Sequence, residues 1–332
     1  MRVATWRGGS TFTIDHAPDP VPGRGQVVVD VHTAGVCGTD VHATQGLFPW
    51  KPPLVMGHEY TGVVRDVGRG VNRRLIGRPV ACEPSYGCGD CGECAAGRVS
   101  QCARCTRIGG FAERVALPVT CVHPLPAGLD PVTAAMTEPA ACCLAGLDQI
   151  DISRGGTVLV IGAGIMGLLT MAMARRQGAK RLIVSDPIDE RRQAAKRLGA
   201  SVLIDPTREN LRERIMALTG GLGADVVCEA VGKPQLVAEA LTLTKPGGAM
   251  QLVGVSPKDS TLPLDLFDVH FREIRIGGAY GRGAAFSRAL RLLPKLGVKK
   301  LVTARFPLDK IEDAFAHAAA GRGIKTVITP NA

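Results

Sequence analysis

Hydrophobic and polar positions follow one pattern before about residue 125 and another after it. In the first part the apolar runs are short and broken by Gly and Pro. QVVVDVHTAGV and YTGVVRDVG read as strands, with GRPVACEP and FAERVALP as further short ones. Long helical periodicity is lacking there. A helical stretch then begins near Pro131, in DPVTAAMTEPAACCLAGLDQI. Beyond it, strand and helix patterns alternate: TVLVIGAG, IMGLLTMAMARRQGA, RLIVSD, IDERRQAAKRLGA, SVLID, ENLRERIMALTG, DVVCEAVG, QLVAEALTLT and AMQLVGV. These strands are apolar throughout, as strands are when helices cover both faces of their sheet. The alternation predicts an α/β fold with a doubly wound parallel sheet. From about Arg272 the tail returns to mixed elements. It ends in KTVITP, a strand expected to pair back with the N-terminal sheet.

Composition narrows the class. A chain of 332 residues has room for one large domain or two, and 45% hydrophobic residues suffice for a core. The N-terminus MRVATWRGGSTF lacks the apolar region of a secretory signal, and no run reaches the roughly 18 apolar residues of a membrane span. These features predict a soluble, cytoplasmic protein with no membrane partner. A formal charge of +10 raises nucleic acid as a partner. The densest basic pairs, Arg73-Arg74, Arg175-Arg176, Arg191-Arg192 and Lys299-Lys300, are scattered and not interleaved with aromatics. A solvated surface and no nucleic acid is the expectation.

The sharpest nucleotide signal is Gly162-Ala163-Gly164-Ile165-Met166-Gly167, between the strand Val158-Leu159-Val160-Ile161 and a helix. This is G-x-G-x-x-G in a strand–turn–helix context. Its glycines permit a tight turn, close approach to a pyrophosphate, and packing of helix on strand. The helix N-terminus adds N–H donors and a positive dipole end. The next strand ends in Asp186, about 20 residues on, where a carboxylate accepts from the ribose hydroxyls. Asp186 favours NAD over NADP, because it would repel a 2′-phosphate. Arg191 or Arg192 could offset that.

The chain has 11 cysteines, an odd number, and cytosolic thiols stay reduced. Clustered cysteines there point to metal or catalysis rather than a disulfide framework. Cys88, Cys91, Cys94 and Cys102 are spaced C-x2-C-x2-C-x7-C. Ferredoxin-type clusters use C-x2-C-x2-C-x3-C-P, so zinc is favoured over iron–sulfur. Cys105 is an alternative to Cys102 as the fourth ligand. Four thiolates would leave that ion no open position for a substrate. A second constellation lies upstream, in Cys37-Gly38-Thr39-Asp40-Val41-His42 and Gly57-His58-Glu59.

Together these segments resemble the zinc-dependent medium-chain alcohol dehydrogenases. The resemblance covers nearly the whole chain. Its carriers are VCGTDVH, PLVMGHEYTGVV, the four-cysteine lobe, GGFAER, TEPAA, VIGAGIMGLL, EAVG and RFPLDKIEDAF. It implies a GroES-like β-rich catalytic domain over residues 1–125, completed by 273–332, and a Rossmann NAD-binding domain over 126–272. It implies two Zn²⁺ per chain. Cys37, His58 and Glu138 match the catalytic ligands, and Cys88, Cys91, Cys94 and Cys102 the structural ones. Thr39 and His42 match a proton relay, and Glu59 a carboxylate beside the catalytic ion. Ile165, Met166, Arg191, Val231 and Val253 are expected as further cofactor contacts.

Glu-Pro at 138–139 is similar to the polyol and threonine branch of that family. The implied function is hydride transfer between NAD and a secondary alcohol: a polyol, sugar-like alcohol, cyclitol or amino alcohol. The alternatives are an NADPH-dependent ketone reductase of a biosynthetic pathway and a non-catalytic redox-sensing or structural relative. A small-molecule alcohol or ketone is the implied partner, in a homodimer or homotetramer. Two departures from the family pattern stand out: a short segment between Cys102 and Gly109, and Arg114 where an aromatic is common. Cys82, Cys121, Cys142, Cys143 and Cys228 lie in apolar runs and read as core residues. Cys142, one turn after Glu138, is also a candidate to face the nicotinamide. Phe48 and Trp50 are candidates for a substrate wall or for packing.

Overall fold

The computed structural model describes residues 1–152, 155–278, 280 and 283–331. The chain divides into two compact units. One comprises Met1–Ala141, Gly281–Lys295 and Lys299–Ala332; the other comprises Cys142–Tyr280 and Leu296–Val298.

The first unit is built on the ten-residue strand Gln26–Gly35, whose Val27, Val28, Val29 and Val31 are buried. It pairs antiparallel with Glu59–Val67, with Gly35 opposite Glu59. It also pairs antiparallel with Arg114–Pro118 and with the terminal strand Lys325–Thr329. KTVITP therefore returns to the N-terminal sheet, as its apolar pattern predicts. The core beneath holds Trp6, Phe12, Met56, Tyr60, Phe111 and Phe315. This pairing matters for the site. It brings the chain after Gly35, the start of Glu59–Val67 and the start of Lys325–Thr329 to one end of three neighbouring strands.

The second unit is a six-stranded, all-parallel sheet. Its order is Val202–Ile204, Arg181–Ser185, Thr157–Ile161, Ala224–Glu229, Thr244–Leu252 and Arg275–Gly278. Counted along the chain that is 3-2-1-4-5-6, the doubly wound dinucleotide-binding order. Ile161 is in register with both Ser185 and Glu229, and Glu229 with Leu252. The carboxyl ends therefore form one edge. Leu159, Ile161, Ile183, Val227 and Met250 pack on one face with Leu211, Ile215 and Leu243.

Two boundaries differ from the sequence pattern. The helical stretch near Pro131 is two helices, Pro131–Ala134 and Thr137–Leu147; Asp130 caps the first by accepting from the Thr133 N–H at 2.9 Å. The strand read as AMQLVGV starts five residues earlier, at Thr244. Its lead-in passes through Pro246 and Gly247, which hid it from a search for apolar runs. No described helix is long and apolar enough to cross a membrane.

Candidate active site and metal centres

Cys37 caps the short helix Gly38–Thr44. Its Sγ accepts from the Thr39 N–H at 3.5 Å, and Asp40 returns the bond by accepting from the Cys37 N–H at 2.9 Å. This reciprocal cap holds the thiol at the end of Gln26–Gly35. The other oxygen of Asp40 lies 3.3 Å from Nδ1 of His58. Asp40 is fully buried and His58 nearly so. Burial alone would lower the His58 pKa, but Asp40 and Cys37 outweigh it and hold the imidazole well above its ordinary value.

Ligand atoms of Cys37, His58 and Glu59 all lie within 4.8 Å of one another. Glu138, the second residue of Thr137–Leu147, is 5% exposed and lies outside that triplet. Its charge is still felt there: burial first, and Glu138 beside it, push the Glu59 carboxyl up, against the pull of Lys325 and His58. Lys325 forms a buried ion pair with Glu59 and donates to the Val36 carbonyl at 2.9 Å.

Among the described residues of this pocket, Cys37, Asp40, Glu59 and Glu138 can each be anionic, and His58 and Lys325 can be cationic. Nδ1 of His58 and Oδ1 of Asp40 face each other, and Oε2 of Glu59 faces Lys325, as charge contacts and not as well-formed hydrogen bonds. A thiol, an imidazole and a carboxylate converging within 4.8 Å in a largely buried pocket fit one divalent cation of the zinc type.

The four-cysteine lobe has a different geometry. Sγ–Sγ distances are 3.9 Å for Cys88–Cys94, 3.8 Å for Cys91–Cys102 and 3.6 Å for Cys102–Cys88. A disulfide needs about 2.05 Å. Four thiolates at about 2.3 Å from one tetrahedral ion are separated by about 3.8 Å. The spacing therefore fits a single closed ion. Cys102, and not Cys105, completes the group; Cys105 Sγ is directed at the Thr106 carbonyl. Backbone donation from Cys88 leads the effects that pull the Cys102 thiol down to about 7. Arg104 donates to Cys88 Sγ at 3.2 Å.

At the carboxyl edge of the parallel sheet, Gly162 has φ +95, and a Cβ on Gly167 would lie 1.9 Å from the Gly162 carbonyl oxygen. Only glycine fits at both. Ile165 and Met166 open the helix Ile165–Gln177. Asp186 is buried, accepting from the Ala163 N–H at 2.7 Å and the Ile188 N–H at 2.8 Å. Each oxygen keeps a second lone pair for a ribose hydroxyl. Arg192 donates to the Asp186 carbonyl and pairs with Asp189 and Asp205 at 3.2 and 3.1 Å. Its charge is thus engaged by two carboxylates. Arg191 is half-buried on the same helix, Asp189–Arg197. Val231 packs where a Cβ on Gly162 would stand, and its N–H donates to Glu229 at 2.8 Å. Val253 lines a cavity with Met166.

Comparison with known proteins settles the family. Residues 23–127 match the alcohol dehydrogenase GroES-like domain, and residues 166–295 match the zinc-binding dehydrogenase domain. Sorbitol dehydrogenase of Halalkalibacterium halodurans is 32% identical over 99% of this chain and 98% of its own. L-threonine 3-dehydrogenase of Pyrococcus horikoshii is 34% identical over 93% of this chain and 92% of its own. The chain belongs to the zinc-dependent medium-chain alcohol dehydrogenases. A crystallised candidate zinc-binding dehydrogenase of Sinorhizobium meliloti 1021, bound to NADP, superposes on this dehydrogenase with a TM-score of 0.93. It is 33% identical and covers 99% of each chain. The dehydrogenase is accordingly an alcohol oxidoreductase of GroES-like plus Rossmann architecture, working with zinc and a nicotinamide cofactor on a small molecule.

Three residues of the dehydrogenase escaped the sequence reading. Asp40 lies 3.3 Å from Nδ1 of His58, and its signal was the C-x-x-D spacing of a capping box. Lys325 neutralises Glu59, and its signal was a charge entering an otherwise apolar terminal strand. Glu229 is fully buried and accepts from the N–H groups of Val231 and Gly232, shaping the loop beside Gly162. Cys82, Cys121, Cys143 and Cys228 are buried, as their apolar surroundings predict, while Cys142 is half-buried. Phe48 stacks edge-on with Trp50, whose ring lies 6.0 Å from that of His58.

Proposed function

We propose that this dehydrogenase oxidises the secondary hydroxyl of a polyol, sugar-like alcohol, cyclitol or amino alcohol, with NAD as acceptor. The observation that carries the reading is the convergence of a thiol, an imidazole and a carboxylate at Cys37, His58 and Glu59. The substrate class follows the names of the relatives, sorbitol and L-threonine 3-dehydrogenase. Residues 1–125, completed by 273–332, make the catalytic domain of this reading, and 126–272 the dinucleotide-binding one.

Cys37, His58 and Glu138 hold one zinc, and Cys88, Cys91, Cys94 and Cys102 a second. The catalytic ion, when bound, acts as a Lewis acid that eases loss of the hydroxyl proton. The nicotinamide, when bound, accepts the hydride. The protein's own residues do the rest. Asp40 fixes the tautomer and direction of His58. Glu59, pinned by Lys325, stands beside the ligands. Thr39 and His42 sit one turn apart on Gly38–Thr44, the hydroxyl taking the proton and the imidazole releasing it. Burial lowers the His42 pKa, which favours release. Replacing Thr39 with Ala should lower kcat by about 10²-fold, the scale of one proton-transfer group, with zinc content unchanged. Loss of metal in that variant would remove the relay assignment.

Asp186 with the engaged Arg192 supports NAD; the NADP-bound relative supports the second reading, an NADPH-dependent ketone reductase. We place the enzyme in the cytoplasm, where its 11 free cysteines suit reduced thiols. We assign subunit association, as a homodimer or homotetramer, to the sheet edge at Arg275–Gly278. The nearby helix Leu266–Phe271 exposes Leu266, Phe267 and Phe271. The testing experiment is a panel of polyols, sugars, cyclitols and amino alcohols, assayed with NAD and with NADP. Turnover should favour NAD by at least tenfold. A preference for NADP, or reduction of ketones alone, would establish the second reading.

A further inference from the structure

One buried side chain in the second unit has no structural role to account for it. Met250 and Leu252 join the core on one face of the strand Thr244–Leu252, so Gln251 between them points to the other face. It is 1% exposed, between Cys228 and Gly277 on the neighbouring strands. Neither Nε2 nor Oε1 of its amide has a hydrogen-bond partner. Leu or Val would be the stable choice in such a sheet, because an unpaired buried amide gives up its bonds to water. Its neighbour is adapted to it: a Cβ on Gly277 would lie 2.7 Å from Gln251 Oε1. Gln251 lines a small, partly open pocket together with Cys142, Cys143, Gly146, Met166 and Val253.

The sheet order says which end of a dinucleotide reaches that pocket. A pyrophosphate over Gly162–Gly167 has Asp186 on one side, marking the adenosine end. Ala224–Glu229 and Thr244–Leu252 lie on the other side of Thr157–Ile161. Met166 and Val253 are therefore on the nicotinamide side. A nicotinamide carries a primary carboxamide, with one acceptor and two donors. A glutamine amide is its complement. We propose that Gln251 is a positioning residue that hydrogen-bonds the nicotinamide carboxamide and so sets the ring's rotation. This rests on the dinucleotide reading above.

The test is equilibrium binding, by NADH fluorescence, to wild type, Gln251→Met and Gln251→Asn. ADP-ribose, which lacks the nicotinamide, and the reduced 3-acetylpyridine analogue, which lacks the amide nitrogen, are measured by competition. Gln251→Met should weaken NADH about tenfold, the scale of one hydrogen bond, and leave ADP-ribose within about twofold. Wild type should prefer NADH to the acetylpyridine analogue, and the Met variant should not. Asn should recover part of the preference. Unchanged NADH affinity in the Met variant overturns the proposal. So does an equal loss of NADH and ADP-ribose, which would make the amide structural. If wild type binds ADP-ribose but neither NADH nor NADPH, the dinucleotide reading itself fails.

Discussion

Replacing Glu138 with alanine should cut kcat/KM by about 10³-fold or more if, as we propose, Glu138 is the third ligand of the catalytic ion, since several kcal/mol of transition-state stabilisation would go with it. Glu138 is positioned tightly. It follows Thr137, whose hydroxyl donates to the Ala134 carbonyl at 2.6 Å, and it is 5% exposed. The obvious substitute is Glu59, which already lies within 4.8 Å of Cys37 and His58. Glu59 is not free to take over. One of its oxygens pairs with Lys325, whose Nζ is anchored to the Val36 carbonyl. The alanine variant should therefore lose zinc from this site, keep the four-thiolate ion, and fold normally. Near-normal turnover with full zinc would move Glu138 to a structural role.

Lys325→Met should produce the largest stability loss of any single charge removal in the first unit. Lys325 and Glu59 are each about 1% exposed. Taking away one member of a buried pair leaves the other uncompensated, at about 3–5 kcal/mol. Here burial first, and the charge of Glu138 second, already push the orphan carboxyl's pKa up. In zinc-free protein the thermal midpoint of the first unit should fall by roughly 10 °C, at about 2–4 °C per kcal/mol. The double variant Glu59→Gln, Lys325→Met should recover part of that fall, because it leaves no lone charge. A shift of under about 1 °C in the single variant would show that the pair contributes nothing net.

Much of the fold was legible because its signals are local. Apolar strands alternating with helices, and Gly162-x-Gly164-x-x-Gly167 ending in reach of Asp186, are patterns within a few tens of residues. The cysteine lobe was legible for the same reason, but its spacing could not choose between Cys102 and Cys105. That choice depends on where a loop folds, and the Sγ–Sγ distances decide it. Asp40 and Lys325 were hidden for another reason. Lys325 meets Glu59 only because the last strand lies beside Gln26–Gly35, a pairing across about 290 residues. Gln251 was invisible as a site residue, since the sequence shows a strand with one polar position. Its meaning lies in the missing partner and in the empty place of the Gly277 side chain.

In the function proposed above, two ions divide the work: one closed by four thiolates, one held by Cys37, His58 and Glu138. Elemental analysis of purified wild type and Glu138→Ala, with NADH production measured on the same samples, tests it most directly. Active wild type should carry about two zinc per chain, and the nearly inactive variant about one. Two zinc in an inactive Glu138→Ala, or one zinc in a fully active wild type, would contradict it.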